Sequence, residues 1–213
     1  MVKIDRNPEP PASLALHKSY RERDVIMKLR EDSNDKCYLC ELQGLSDPQV
    51  EHLRPHHNYK LKDRVFDWNN LFYVCPHCNN LKKDKKYDDN ILDCCSVNPE
   101  NVLEHVFKDG HVEVHNKTAD KEVVMTADLI QNCFEKTNTG IREAACQHRI
   151  DKLSESMNVL YKTLKQYKDN PSVERYQKSL RGMLSRKSKF AAFKRYYVRE
   201  HLTDYPELAK YVS

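Results

Sequence analysis

VCPHCNNLKKDKK, Val74 to Lys86, sets two cysteines two residues apart and follows them at once with Asn79, Asn80 and a cluster of lysines. Upstream, KCYLC (Lys36 to Cys40) carries a second pair with the same spacing. Two CxxC knuckles offer four thiolates from tight turns, the donor set of a tetrahedral structural zinc on Cys37, Cys40, Cys75 and Cys78. With every position filled by thiolate, such a centre has no place for water or substrate. It staples the chain and does not catalyse.

What surrounds the staple must fit a chain of 213 residues, enough for one large domain or a small one with a helical extension. Charged residues make up 32% and the mean hydropathy is −0.84, yet Leu, Val, Ile, Tyr and Phe recur throughout, the composition of a soluble globular protein. Four glycines argue against a glycine-rich phosphate loop. No apolar run approaches a membrane span, and MVKIDRNPEPP lacks the apolar core of a signal peptide, so the expected location is cytoplasmic, with no membrane partner. A reducing compartment in turn favours metal binding over disulfides for paired cysteines.

Along the chain, residues 1–19 carry Pro8, Pro10 and Pro11 and read as an extended N-terminal arm. Tyr20 to Asp32 has Val25, Ile26 and Leu29 at helical spacing, and short strands and loops follow from Cys37. VLEHVFKDGHVEVH alternates on either side of Asp109-Gly110, a β-hairpin signal that closes a core unit over 20–120. The region 121–213 reads as helical, turning so from about Thr126. Cys146, Ile150, Leu153, Met157, Leu160, Leu164 and Tyr167 form an apolar stripe, Pro171 sits where a new helix begins, and helices are expected near 172–186 and 189–201. Between Pro171 and His201, nine basic residues stand against two acidic ones, interleaved with aromatics, compatible with a nucleic-acid surface or with core. The fold class is therefore α+β, mostly helical, with a zinc-stapled centre and a C-terminal helical extension.

A zinc clip by itself requires neither the Glu-His pair in VEHLRPHH (50–57) nor the Asn-Leu pair in DWNNLFYVC (67–75). The order CxxC, Glu51-His52 closely followed by Pro55, Asn70-Leu71, then CxxC with Asn79 and Lys82 resembles the HNH endonucleases. That resemblance implies the ββα-metal fold, in which a hairpin presents the acid and histidine and a helix from the second knuckle presents the last residue. It also implies metal-dependent phosphodiester hydrolysis. His52 and Asn70 are then the catalytic positions, His52 as general base and Asn70 fixing the loop that bears it, while Glu51 and Asn79 hold one catalytic Mg²⁺ or Mn²⁺. Glu51 stands where Asp is commoner in the family, and Asn79 where many members have His.

KIDRNPEPP (3–11), KCYLCE with QVEHLRPH, FDWNNLFYVCPHCNNLKKDK (66–85) and ILDCCSVNPENVLEHVFKDGHVEV (91–114) are similar to one HNH subset, the PtuB-type nucleases. The resemblance covers most of residues 1–135. It implies a partner, a PtuA-like ABC-type ATPase of Septu anti-phage defence, or a retron with its reverse transcriptase and msDNA. The implied substrate is nucleic acid, DNA or, as retron-linked relatives make plausible, tRNA, since the motif meets only phosphates and does not separate the two; the arm and helical tail are candidate docking surfaces. A zinc-dependent nucleic-acid-binding scaffold that does not cut is the competing class.

Arg54, Lys82, Lys83, Lys85 and Lys86 are candidate nucleic-acid contacts, the lysines as a helical continuation from Asn79 lining a phosphate track, although KKDKK is also what a solvated helix looks like. His77 is expected in an exposed loop, and His56 and His57 as solvated loop residues. Cys94 and Cys95 should pack without metal, and Cys133 and Cys146 should be core.

Overall fold

Val25, Ile26 and Leu29 give α1 its apolar side. In the computed structural model, which describes Met1–Ser213, α1 spans Arg23–Asp32 with Val25 and Leu29 buried. The first cysteine knuckle follows, and the chain then enters β1 (Gln49–His52). A short helix α2 (Lys62–Val65) and a 3-10 turn Trp68–Asn70 lead into β2 (Leu71–Val74). The two strands pair antiparallel with Gln49 opposite Val74, Glu51 opposite Phe72 and His52 opposite Leu71. Cys75 caps α3 (Pro76–Lys82), with Pro76 in the first turn, where its fixed φ suits helix entry and its missing N–H costs nothing.

The helix stops at Lys82, and Lys85–Tyr87 form a separate 3-10 turn, so KKDKK does not continue α3 as its composition suggests. Asp84 explains the break: its side chain accepts from the Lys86 N–H, a local cap that starts the new turn. Next comes a hairpin of β3 (Leu103–Lys108) and β4 (His111–Asn116). Asp109 and Gly110 turn it with φ of 51° and 82°, the left-handed pair that a two-residue hairpin of this twist demands.

The remaining helices are α4 (Lys121–Glu135), α5 (Gly140–Asp169), α6 (Glu174–Met183), α7 (Ala191–Glu200) and α8 (Ala209–Val212). Helix begins five residues before Thr126, and Pro171 precedes α6 by a turn that closes through Val173 N–H to Asn170 O. Half of the residues are helical, beside two small antiparallel sheets, an α+β architecture. No helix is long and apolar enough to cross a membrane.

One cluster of 35 buried residues runs from Met1 through all four knuckle cysteines to Val212, so the cysteine-knuckle segment and the helical region share a core. Cys146, Leu153, Met157, Leu160, Leu164 and Tyr167 of α5 are buried, and Ile150 packs half-buried beside them. A second cluster joins Val25 and Leu29 to Trp68, Leu71 and Tyr73.

The N-terminal arm is spent on this same core. Met1 and Val2 are buried, and the Ile4 N–H donates to Cys94 O at 2.9 Å. The Arg6 guanidinium bonds the carbonyls of Trp68 and Leu71 while lying over the Trp68 and Phe72 rings, and Trp68 Nε1 donates to Asn7 O. Residues 1–7 therefore brace the entrance to β2 and leave little of that stretch for another protein.

The basic stretch 171–201 is also partly internal. Arg186, Arg195 and Arg199 converge on the buried Glu100 carboxylate at 2.6–2.9 Å. Burial pushes Glu100 up, and bonds from Arg195 and Arg186 more than offset it, holding the carboxyl below its ordinary range. Phe190 and Phe193 are core, and Lys194 is buried with its ammonium on Ser188. Those residues fold the tail and are unavailable as a phosphate surface.

Candidate metal and active-site cleft

Cys37, Cys40, Cys75 and Cys78 are all buried, and their sulfur atoms lie within 4.8 Å of one another. Cys40 and Cys75 Sγ are 3.9 Å apart, close to the edge of about 3.8 Å of a tetrahedron with Zn–S bonds of about 2.3 Å. Hydrogen bonds from Cys37, Cys40 and Cys78 draw the Cys75 thiol toward thiolate, and the Arg149 guanidinium adds to the effect. Arg149 reaches in from α5, its Nη2 3.0 Å from Cys75 Sγ. Four thiolates on Zn²⁺ carry a net charge of −2, and a buried arginine beside them offsets part of it. The residues fit a structural zinc.

The second knuckle launches α3, and the first docks on β2 through Tyr38 N–H to Tyr73 O at 3.0 Å. The cluster therefore fixes the strand pair against the helix. On β1, Gln49 and Glu51 lie two residues apart and share a face, while on α3, Asn79 and Lys82 lie three apart and share another. The faces meet in two rungs: Asn79 Nδ2 donates to Gln49 Oε1 at 2.7 Å, and Lys82 Nζ sits 2.6 Å from Glu51 Oε1. Glu51 Oε2 accepts from the Tyr38 hydroxyl at 2.7 Å.

His52 ends β1 with 9% of its surface exposed, its Nε2 3.0 Å from Val65 O. Tyr20 and His56 both meet its ring edge to face, at 4.6 and 4.5 Å between centroids. Burial lowers the affinity of His52 for a proton, and the bond to Val65 only partly counters it, so the imidazole is neutral near pH 7. Asn70 touches backbone alone. Its Oδ1 accepts from Arg54 N–H at 2.7 Å and its Nδ2 donates to Arg54 O and Arg64 O at 2.9 Å. It closes the loop from Arg54 to Arg64 that follows His52.

Glu51, His52, Asn79, Lys82 and Lys83 line one cleft of about 710 Å³. His56, His57, Arg21 and Asp88 are among its other polar wall residues. Glu51 and Asn79 offer hard oxygen donors; with Nδ2 of Asn79 held by Gln49, its Oδ1 is the atom left for a cation. Each Glu51 oxygen already takes one protein partner, Lys82 or Tyr38, so these residues would hold a Mg²⁺ or Mn²⁺ only through a remaining Glu51 lone pair and Asn79 Oδ1, with waters filling its other positions.

Several expected contacts lie elsewhere. Lys82 is 6% exposed, its ammonium bonding His52 O and Leu53 O besides Glu51, so it is an internal brace and not part of a phosphate track. The Arg54 guanidinium is tied to Ile91 O and Glu122. Lys86 pairs with Asp128 at 2.6 Å, and Lys85 is exposed outside the cleft lining, which leaves Lys83 as the lysine of that run that lines the cleft with an unpaired, exposed ammonium. His77 is helical and half-buried, with Nε2 near Cys133 O, contrary to an exposed loop position. His56 and His57 stand on the cleft wall. Cys133 and Cys146 are core, and Cys94 is buried beside half-buried Cys95 without further metal donors.

Tyr38, Gln49, Arg21 and Arg149 escaped sequence reading. Period-two alternation from Glu51 points to Gln49; no local pattern marks Arg149, which acts across 74 residues of chain. Compared with protein-family models, curated proteins and solved structures, the chain matches none.

Proposed function

We propose that the chain is an HNH-type endonuclease of the PtuB kind, hydrolysing nucleic-acid phosphodiester bonds. The observation that carries this reading is the shared cleft of Glu51, His52 and Asn79, built on a β-β-α unit beside a tetra-cysteine cluster, with Asn70 closing the loop behind His52.

With its Nε2 committed to Val65 O, His52 presents Nδ1 as the lone-pair atom that takes a proton from the attacking water. Asn70 keeps that ring in place by pinning Arg54 and Arg64. Arg21 and Lys83 on the cleft wall attract the phosphate backbone. Glu51 and Asn79 would hold a Mg²⁺ or Mn²⁺, which when bound would supply charge neutralisation at the departing 3′ oxygen.

By the same resemblance, a PtuA-like ABC-type ATPase restrains the nuclease in the cytoplasm, as part of a Septu system or of a retron with its reverse transcriptase and msDNA. With Met1, Val2 and Arg6 engaged internally, the mostly exposed residues 8–19 of the arm and the exposed faces of the helical region are the surfaces left for such a partner. Co-purification with a co-expressed PtuA-like ATPase tests it.

The deciding experiment incubates supercoiled plasmid and bulk tRNA with Mg²⁺ or Mn²⁺, comparing wild type, alone and with a PtuA-like ATPase, against His52→Ala. Loss of about 10²–10⁴-fold in cutting supports the general base, and the polymer consumed identifies the substrate. Zinc-loaded protein with partner that cuts neither points instead to the non-cutting scaffold.

A further inference from the structure

The Glu51 carboxylate is held from two sides, and each side leads back to one half of the cysteine cluster. Tyr38 lies inside the first knuckle, between Cys37 and Cys40, and donates to Oε2. Lys82 ends α3, the helix that the second knuckle begins, and its ammonium meets Oε1. Tyr38 is 3% exposed, and its ring rests 4.8 Å from Phe72, the residue opposite Glu51 across the strand pair. Its hydroxyl has one acceptor, Glu51, and its position is set by the knuckle and by β2.

We infer that Tyr38 is a positioning residue through which the tetra-cysteine centre sets the divalent-cation affinity of the cleft. The inference rests on Glu51 being a cation ligand, as proposed above. The physical reason is a competition for that carboxylate. A cation needs an Oε lone pair aimed into the cleft, whereas Lys82 draws the carboxylate toward α3 with a buried charge–charge contact. The Tyr38 hydroxyl anchors the second oxygen and prevents the group from rotating to give both oxygens to Lys82. Outer donors of this kind fix the direction in which a ligand carboxylate presents itself, and their loss lowers metal affinity by about 10–100-fold. Zinc binding and cation binding are then linked, and linkage is reciprocal.

The test measures Mn²⁺ binding to the zinc-loaded full chain from the decrease of the free Mn²⁺ EPR signal, for wild type, Glu51→Gln and Tyr38→Phe, with zinc content and unfolding temperature determined for each. Expected are binding by wild type, its loss in Glu51→Gln, and affinity about 10–100-fold weaker in Tyr38→Phe at unchanged zinc content. A merely structural tyrosine would leave the Mn²⁺ affinity where it was. Wild-type affinity in Tyr38→Phe overturns the inference while leaving the nuclease reading standing. If wild type binds no Mn²⁺, or Glu51→Gln binds it equally, the nuclease reading fails and the inference with it. A second measurement needs no variant: saturating Mn²⁺ should raise the zinc affinity of wild type by about 10-fold in competition with a zinc-selective chelator. No change there also overturns it.

Discussion

Lys82 Nζ and Glu51 Oε1 lie 2.6 Å apart, both side chains almost fully buried, in a protein where a lysine-rich run invites a solvent-facing reading. The ammonium also bonds the carbonyls of His52 and Leu53, so it neutralises the acid and closes the chain just beyond β1. Removing one partner of a buried pair leaves the other uncompensated, at a cost of about 3–5 kcal/mol. Lys82→Ala should therefore lower unfolding free energy in urea by that order. Lys83→Ala, one residue on and exposed, should stay within about 0.5 kcal/mol of wild type. Equal effects would place Lys82 on the surface after all.

Arg149 joins the helical region to the cysteine cluster, its guanidinium 3.0 Å from Cys75 Sγ. Without that charge, four thiolates and a zinc ion would carry their surplus negative charge into the core. Arg149→Leu should weaken zinc binding by about 10–100-fold in chelator competition. Zinc retention equal to wild type would mean that Arg149 only packs.

The contrast between these two residues shows what a single sequence discloses. The knuckles and the Asp109-Gly110 turn are local patterns whose chemistry is fixed by spacing, the Glu51-His52 pair is singled out by resemblance alone, and α5 is legible from one apolar stripe. Lys82 and Arg149 are legible only as charges, because their partners come from strands and helices tens of residues away. The basic stretch 171–201 misleads for the same reason: three of its arginines answer to Glu100, whose position in the fold no periodicity reveals. Pro8, Pro10 and Pro11 likewise suggest an extended arm, but Ala12–Leu16 close into a 3-10 turn, and the docking of its first residues depends on Arg6 finding Trp68 and Phe72.

His105 of β3 is buried against Phe193, and desolvation holds its pKa well below the ordinary value, with the Met1 ammonium and Arg199 also opposing protonation. Because the folded-state pKa is depressed, the unfolded chain takes up the proton first. The stability due to neutral His105 is full above about pH 6.5 and is lost as pH falls from there toward the folded-state value. Chemical denaturation between pH 7.5 and 5 should show this decline, and His105→Phe, which keeps an aromatic ring in the site, should flatten it. An unchanged slope would assign the decline to other groups.

Asn70 makes three backbone bonds and no other side-chain bond. Asn70→Ala should cost about 1–3 kcal/mol in stability and, on the nuclease reading, about 10²-fold in cleavage, as the loop after His52 loosens. The exposed neighbour Asn69→Ala is the control and should do neither. A fully active Asn70→Ala would remove the positioning role.

Arg21 and Lys83 are exposed and line the cleft, whereas Arg175 is exposed on α6 and lies over Tyr176 outside it. If nucleic acid enters the cleft, each cleft residue that meets a phosphate releases counterions, and its loss changes the slope of log affinity against log salt by about 0.9. Binding is best read by fluorescence anisotropy in the His52→Ala background, where no substrate is consumed. Arg21→Ala and Lys83→Ala should each flatten the slope by that amount, and Arg175→Ala should leave it unaltered. The reverse pattern would move the nucleic-acid surface from the cleft to the helical region, since the salt slope counts phosphates met and not the stability of the fold.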